Sequence, residues 1–186
     1  MEESSITPDC KKWCGDLCRE LSTSTTDVES LTIDGNLHNG IEEAQLVSLF
    51  DAMRKNRGLT LFTLRHADLS RTAISALVPA LKNSRFLESV LIEEMNDIDE
   101  CLPELLAVTL FFNRTIKQLI LRSCWVDGVS PYSLGSMLNT MLHLKDLHIC
   151  HNRIHESAAE SIGVALKHNT SLELLDLTGS SMNCRS

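Results

Sequence analysis

Three side chains in the last third of the chain have the types that could do chemistry together: His148, Cys150 and Asp176. A thiol, an imidazole and a carboxylate are the parts of an activated nucleophile, in which the ring takes the thiol proton and the carboxylate orients the ring. Arg122, expected beside Cys150, would lower the thiol pKa. The spacing argues against a reaction. Side chains two apart on one strand start about 6.6 Å apart, no oxyanion donors are evident, and the face they fall on is shallow. With His151 the same group offers ligands for zinc, but histidines on a wet sheet are the simpler reading. Cys10, Cys14 and Cys18 repeat at steps of four, where a zinc knuckle spaces its thiolates more closely, and no fourth ligand lies nearby. The stretch Glu93, Glu94, Asp97, Asp99, Glu100 lacks the glycine and spaced oxygen ligands of a calcium loop. It reads as a solvated loop, or as a dock for a basic partner. No Gly-x-x-x-x-Gly-Lys-Ser/Thr phrase is present. The chain therefore reads as a non-enzyme without metal or cofactor.

The elements that would carry these side chains come from a repeat. The phrase apolar-x-x-apolar-x-apolar occurs at Val28-Leu31-Ile33, Leu59-Phe62-Leu64, Leu87-Val90-Ile92, Ile116-Leu119-Leu121, Leu144-Leu147-Ile149 and Leu172-Leu175-Leu177, with steps of 31, 28, 29, 28 and 28 between first residues. A fixed period in this range marks stacked supersecondary units, each unable to bury its apolar face alone. Within a unit the last two apolar residues alternate with polar ones, the period of a strand. Asn152, where the fifth strand ends, is placed to turn its amide onto neighbouring backbone. Helical spacing follows in each unit, near Glu43–Asn56, Arg71–Asn83, Glu100–Phe112, Ser133–Leu142 and Ser157–His168. Ser157 with Glu160 makes a capping box. The expectation is an α/β chain with about six parallel strands lining a concave face and helices outside.

Residues 10–21 place Cys10, Trp13, Cys14, Leu17, Cys18 and Leu21 on one helical face, which predicts an amphipathic cap over the first unit. The predicted domains are a capping segment over 1–27, a repeat array over 28–182 of five full units plus a sixth strand, and a tail over 183–186. No helix follows the sixth strand, so an open edge there predicts self-association.

The chain has 186 residues, net charge −8 and pI about 5.3. An acidic surface argues against nucleic acid or an anionic membrane and for a protein partner, with a basic patch as its natural complement. No transmembrane stretch and no signal peptide are visible, so a cytosolic or nuclear location with reduced thiols is expected of the seven cysteines. The Asn-x-Ser/Thr matches at Asn113 and Asn169 then mean nothing for glycosylation.

The phrases Leu144-x-x-Leu147-x-Ile149-x-x-Asn152-x-Ile154 and Ala165-Leu166-Lys167-His168-Asn169-Thr170-Ser171-Leu172 resemble leucine-rich repeats of the ribonuclease-inhibitor type over residues 28–182. They are similar at the same level to the repeats of Ran GTPase-activating proteins, NOD-like receptors and tropomodulins. The resemblance implies a leucine-rich repeat solenoid, a right-handed βα superhelix. The asparagine of the phrase is Asn36 or Asn152 in two units but Ala67, Met95, Cys124 and Ser180 in the others. The motif specifies fold far better than function.

Counting outward along the strands gives three rows on the concave face. The first is Ser30, Leu61, Ser89, Gln118, Asp146, Leu174. The central row is Thr32, Thr63, Leu91, Ile120, His148, Asp176. The last is Asp34, Arg65, Glu93, Arg122, Cys150, Thr178, whose first four charges alternate and can compensate one another. Leu91 and Ile120 beside Trp125 have the composition of an interface anchor. The partner-binding residues predicted from this pattern are Arg65, Leu91, Glu93, Ile120, Arg122, Trp125, His148 and Asp176. The function expected is non-catalytic protein binding through the concave face. Alternatives are a GTPase-activating regulator of a Ran-like small GTPase, an inhibitor of a basic enzyme, and cytoskeletal capping of the tropomodulin sort.

Overall fold

The computed structural model describes residues 10–22, 28–36, 41–67, 69–95, 112–124 and 131–183. In chain order these hold α1 (Cys10–Ser22), β1 (Ser30–Asp34), α2 (Glu43–Lys55), β2 (Leu61–Arg65), α3 (Arg71–Asn83), β3 (Ser89–Glu93), β4 (Gln118–Arg122), α4 (Pro131–Thr140), β5 (Asp146–His148), β6 (Arg153–His155), α5 (Glu156–Leu166), β7 (Leu174–Asp176) and β8 (Ser181–Asn183). Most of the helix expected at Glu100–Phe112 lies outside the described residues.

Six strands form one parallel sheet in the order β1-β2-β3-β4-β5-β7. Each apolar phrase pairs with the next in register, so Leu31, Phe62, Val90, Leu119, Leu147 and Leu175 run across the sheet as one row. The first five are buried; Leu175, on the last strand of the sheet, is half-buried. Parallel strands need covered faces. The helices cover one of them with residues at steps of three and four: Leu46, Leu49, Phe50 and Met53 of α2, Ile74, Leu77 and Leu81 of α3, and Leu134, Met137 and Leu138 of α4. These and the inward strand residues form one hydrophobic cluster that also takes in Cys14 and Leu21 of α1. Phe50 meets Phe62 edge to face with centroids 6.2 Å apart, which ties α2 to β2.

Backbone polar groups between neighbouring turns are satisfied at two levels. At the helix-to-strand side, Asn56, Asn113 and Asn169 each donate a side-chain N–H to a carbonyl of the preceding turn: Leu21 O at 3.1 Å, Leu81 O at 2.7 Å and Leu138 O at 2.6 Å. Their Oδ1 atoms accept the backbone N–H groups two and three residues on. At the other side of the sheet, Asn152 donates to Leu121 O at 2.9 Å and Cys150 O at 3.0 Å and accepts from the Cys124 N–H at 2.9 Å, as its position implied. Just past the strands, His66, Glu94, Ser123 and His151 take φ of 50–56° and Gly179 takes 71°. For a residue with a Cβ this region costs roughly 1–2 kcal/mol. It is held because each of those four N–H groups reaches a carbonyl of the next turn, as Glu94 does to Arg122 O at 2.9 Å.

Two local expectations need correction. The segment after the sixth strand, where no further element was expected, forms β8, which pairs in parallel with β6, Ile154 beside Met182, in a second small sheet, while β7 stays the last strand of the main one. The same pairing holds His155 extended, so α5 starts at Glu156 with His155 as its N-cap and without a side-chain cap bond; the Ser157–Glu160 box is not its start. A reciprocal bond of that kind stands instead before α2, where the Glu42 N–H donates to Gln45 Oε1 at 2.7 Å.

Candidate functional site

The face of the sheet turned away from the helices is built by the alternate residues of six strands, and its register follows from the pairing. Leu61, Ser89, Gln118, Asp146 and Leu174 adjoin in one row; Thr32, Thr63, Leu91, Ile120, His148 and Asp176 adjoin in the next; Asp34, Arg65, Glu93 and Arg122 form the third. Seven of the eight residues predicted to contact a partner, Arg65, Leu91, Glu93, Ile120, Arg122, His148 and Asp176, therefore share this face. Trp125 lies outside the described residues, as do Asp97, Asp99 and Glu100 of the acidic stretch.

The charges of the third row form two pairs. Arg65 Nε donates to Asp34 Oδ2 at 2.8 Å, and Arg122 lies 3.3 Å from Glu93. Asp34 is buried rather than exposed, contrary to its outward position, because Arg65, His66 and the Asn36 N–H close over its carboxylate. Burial pushes that carboxyl up, but the three hydrogen bonds and the guanidinium charge outweigh it and hold it below the ordinary value. Thr63 is likewise buried. His66 links this row to the loop beyond β3: its Nδ1 is 3.1 Å from Asp34 Oδ1, and its Nε2 is bonded to Glu94. The sequence reading missed His66. Its signal was a residue one step past the strand, flanked at one-turn distances by two acids.

Apolar surface concentrates beside these pairs. Leu61 is exposed, and Leu91 and Ile120, on the two strands that follow, are half-buried. Half-burial corrects the expectation that this pair is open to solvent, but it leaves three apolar side chains on three neighbouring strands. Leu174 is exposed at 44% on the last strand.

At the other end of the face, Asp176 gathers four donors. The Thr178 hydroxyl and N–H reach Oδ1, the Cys150 thiol reaches Oδ2 at 3.2 Å, and His148 Nδ1 lies 3.2 Å from Oδ2. These bonds, led by those from Thr178, hold the Asp176 carboxyl well below the usual range. Cys150 responds in the opposite sense. Burial first, then the Asp176 carboxylate, raise its thiol, and the nearby Arg122 charge does not offset them. Cys150 is buried on that face, covered rather than open to solvent, and its thiol is a protonated donor at neutral pH, so the activation expected from Arg122 is corrected. The three donor atoms of His148, Cys150 and Asp176 lie within 4.8 Å of one another, close enough to hold a metal ion if the thiol gave up its proton. His151 is not part of that group; its ring lies against Gly179 instead. In α1, Cys14 is buried with its thiol towards Gln45 O, so that thiol serves the core.

No family model matches the chain, and no curated protein matches it. Among solved structures it is similar to the tropomodulin C-terminal domain of Caenorhabditis elegans, at 16% identity over 84% of this chain and 92% of that one, with a TM-score of 0.63. It is also similar to actin-binding site 2 of leiomodin-1, at 15% identity over 83% of this chain and 87% of that one, with a TM-score of 0.66. At these identities the likeness shows the fold: an α/β chain with a six-stranded parallel sheet. It corrects the resemblance drawn from the repeat phrases. These two solved neighbours are a tropomodulin and a leiomodin domain, not repeats of the ribonuclease-inhibitor type, Ran GTPase-activating proteins or NOD-like receptors. The phrase encodes a strand with alternate residues buried and a polar side chain at its end, which any stack of parallel βα turns requires, so it carries no subfamily.

Proposed function

We propose that this chain is a non-catalytic, cytoplasmic protein-binding module whose stacked turns form a solenoid, and that it binds through the outer face of its parallel sheet. The observation that carries the reading is the apolar pair Leu91 and Ile120, neighbours in the central row, with Leu61 in the adjoining row of the strand before, bordered by acid–base pairs already satisfied within the chain. An apolar strip rimmed by polar groups is the make-up of an interface core, and the rim supplies register more than affinity. The raised Cys150 thiol supports a non-enzymatic role. Among the described residues no helix is long and apolar enough to cross a membrane. The leiomodin-1 neighbour is an actin-binding site, which makes actin the first partner to test. Neither neighbour is a GTPase regulator or an enzyme inhibitor, so those two readings of the sequence find no support.

The test is co-sedimentation with filamentous actin and anisotropy with labelled monomeric actin, using the wild-type chain and Leu91→Asp/Ile120→Asp. Wild-type binding with at least a tenfold loss in the double variant is the expected result, about 1.4 kcal/mol or more. A double variant that folds normally and keeps wild-type affinity for its partner rules out this face.

A further inference from the structure

The turns that enter the strands carry a feature outside the strand-face reading. Arg57, Arg85 and Arg114 each stand two residues before the first apolar residue of their phrase, Leu59, Leu87 and Ile116. Three consecutive turns therefore place a guanidinium at one equivalent point, and successive strands in a parallel sheet are about 4.8 Å apart. All three are exposed. Arg57, Arg85 and Arg114 line a cavity of about 350 Å³, and Arg57 and Arg85 also line a neighbouring one of about 580 Å³ with Arg54 and Lys55. Phe86, 44% exposed, belongs to both cavities.

Three other cations along this edge have partners: Lys117 with Glu88, which also lines the smaller cavity, Lys145 with Glu173 and Arg54 with Asp51. Among the described residues the three ledge arginines form no ion pair. In a chain of net charge −8 this is a local concentration of uncompensated positive charge around an aromatic ring.

We propose that this ledge binds an acidic peptide segment of a partner protein, three or more carboxylates set around one apolar side chain. Each guanidinium can take a carboxylate through two parallel hydrogen bonds, and the planar fork fits that geometry better than an ammonium does. Phe86 covers the apolar side chain. The size of the feature decides between anions. A nucleic acid strand or an anionic membrane extends well past two cavities of this volume and would meet the acidic remainder of the chain, whereas a short peptide ends within the ledge.

The test uses a short fluorescein-labelled peptide of glutamates around one phenylalanine, read by anisotropy. The comparison probes are the same peptide with lysines for glutamates, a single-stranded oligonucleotide, and phosphatidylserine vesicles. The glutamate peptide binds the wild-type chain, binding weakens as salt rises, and Arg57→Glu/Arg85→Glu/Arg114→Glu weakens it more than tenfold. Phe86→Ala weakens it without changing the salt dependence. Leu91→Asp/Ile120→Asp leaves it intact, which separates this surface from the strand face. Equal binding by the triple variant, with its circular dichroism unchanged, overturns the proposal. So does tighter binding of the oligonucleotide or the vesicles than of the peptide.

Discussion

His66 shows how one side chain couples three turns of the chain. Its ring stands between Asp34 and Glu94, each contributed by a different turn. Partial burial disfavours the imidazolium, but the bonds to Glu94 and Asp34 and their charges outweigh it and raise the pKa. The sign of the consequence follows. A histidine with a raised folded pKa contributes stability fully present below its unfolded value of about 6.5, and that contribution is lost as pH rises through the higher folded value. Urea midpoints measured from about pH 6 to about pH 8.5 are expected to fall more for the wild type than for His66→Gln, by the share this ring supplies. Parallel profiles for the two proteins would show that the bridge is energetically silent. Asp34 and Glu94 were legible as acids in the sequence. Their meeting on one imidazole was not, because neither lies within 27 residues of His66 along the chain.

At the scale of the elements, the turns entering the strands decide how closely neighbouring units stack. Asn113 is buried and makes four bonds to backbone: to Leu81 O at 2.7 Å, to Ser84 O at 2.9 Å, and from the N–H groups of Thr115 at 2.8 Å and Ile116 at 2.9 Å. Asn113→Ala leaves these groups without their partner inside the fold. An unfolding free energy lower by about 2–3 kcal/mol is expected in chemical denaturation; a loss below about 0.5 kcal/mol, the level of an ordinary surface change, would mean that water replaces the amide freely. The sequence showed Asn113 and Asn169 at turns. Their role stayed hidden because the carbonyls they reach belong to the preceding turn, 32 and 31 residues away. Helix starts were legible to the residue for α2 and α3, to one residue for α5 and to two for α4.

Across the whole molecule, one hydrophobic cluster runs from Cys14 in α1 to Ala165 in α5. Each turn buries its apolar residues against the next, so no described element has a core of its own. Leu119, fully buried in the middle of the sheet, carries this continuity. Leu119→Ala should cost about 2–5 kcal/mol. Tryptophan fluorescence, which includes Trp13 of α1, and circular dichroism at helical wavelengths should still report one shared transition. Separate transitions would show that the amino-terminal turns melt as an independent unit. Charge is organised on the same scale: acid–base pairs occupy the outer strand face, and an arginine ledge interrupts an otherwise acidic chain. That ledge was legible in the repeat register, since Arg57, Arg85 and Arg114 share one offset from their phrases. Reading net charge alone concealed it.

The amino-acid sequence by itself determined the six strands of the main sheet, their order, the inward row from Leu31 to Leu147, and the faces of the helices that meet it. Those features depend on periods of two and near four residues inside a single turn, where neighbours in sequence are neighbours in space. Tertiary structure alone decided that Asp34, Thr63 and Cys150 are covered, that His66 joins two acids, that Asp176 gathers a thiol and an imidazole, and that β8 returns to β6. Each of these is a contact between turns about thirty residues apart, and its existence rests on the register with which one turn settles on the next.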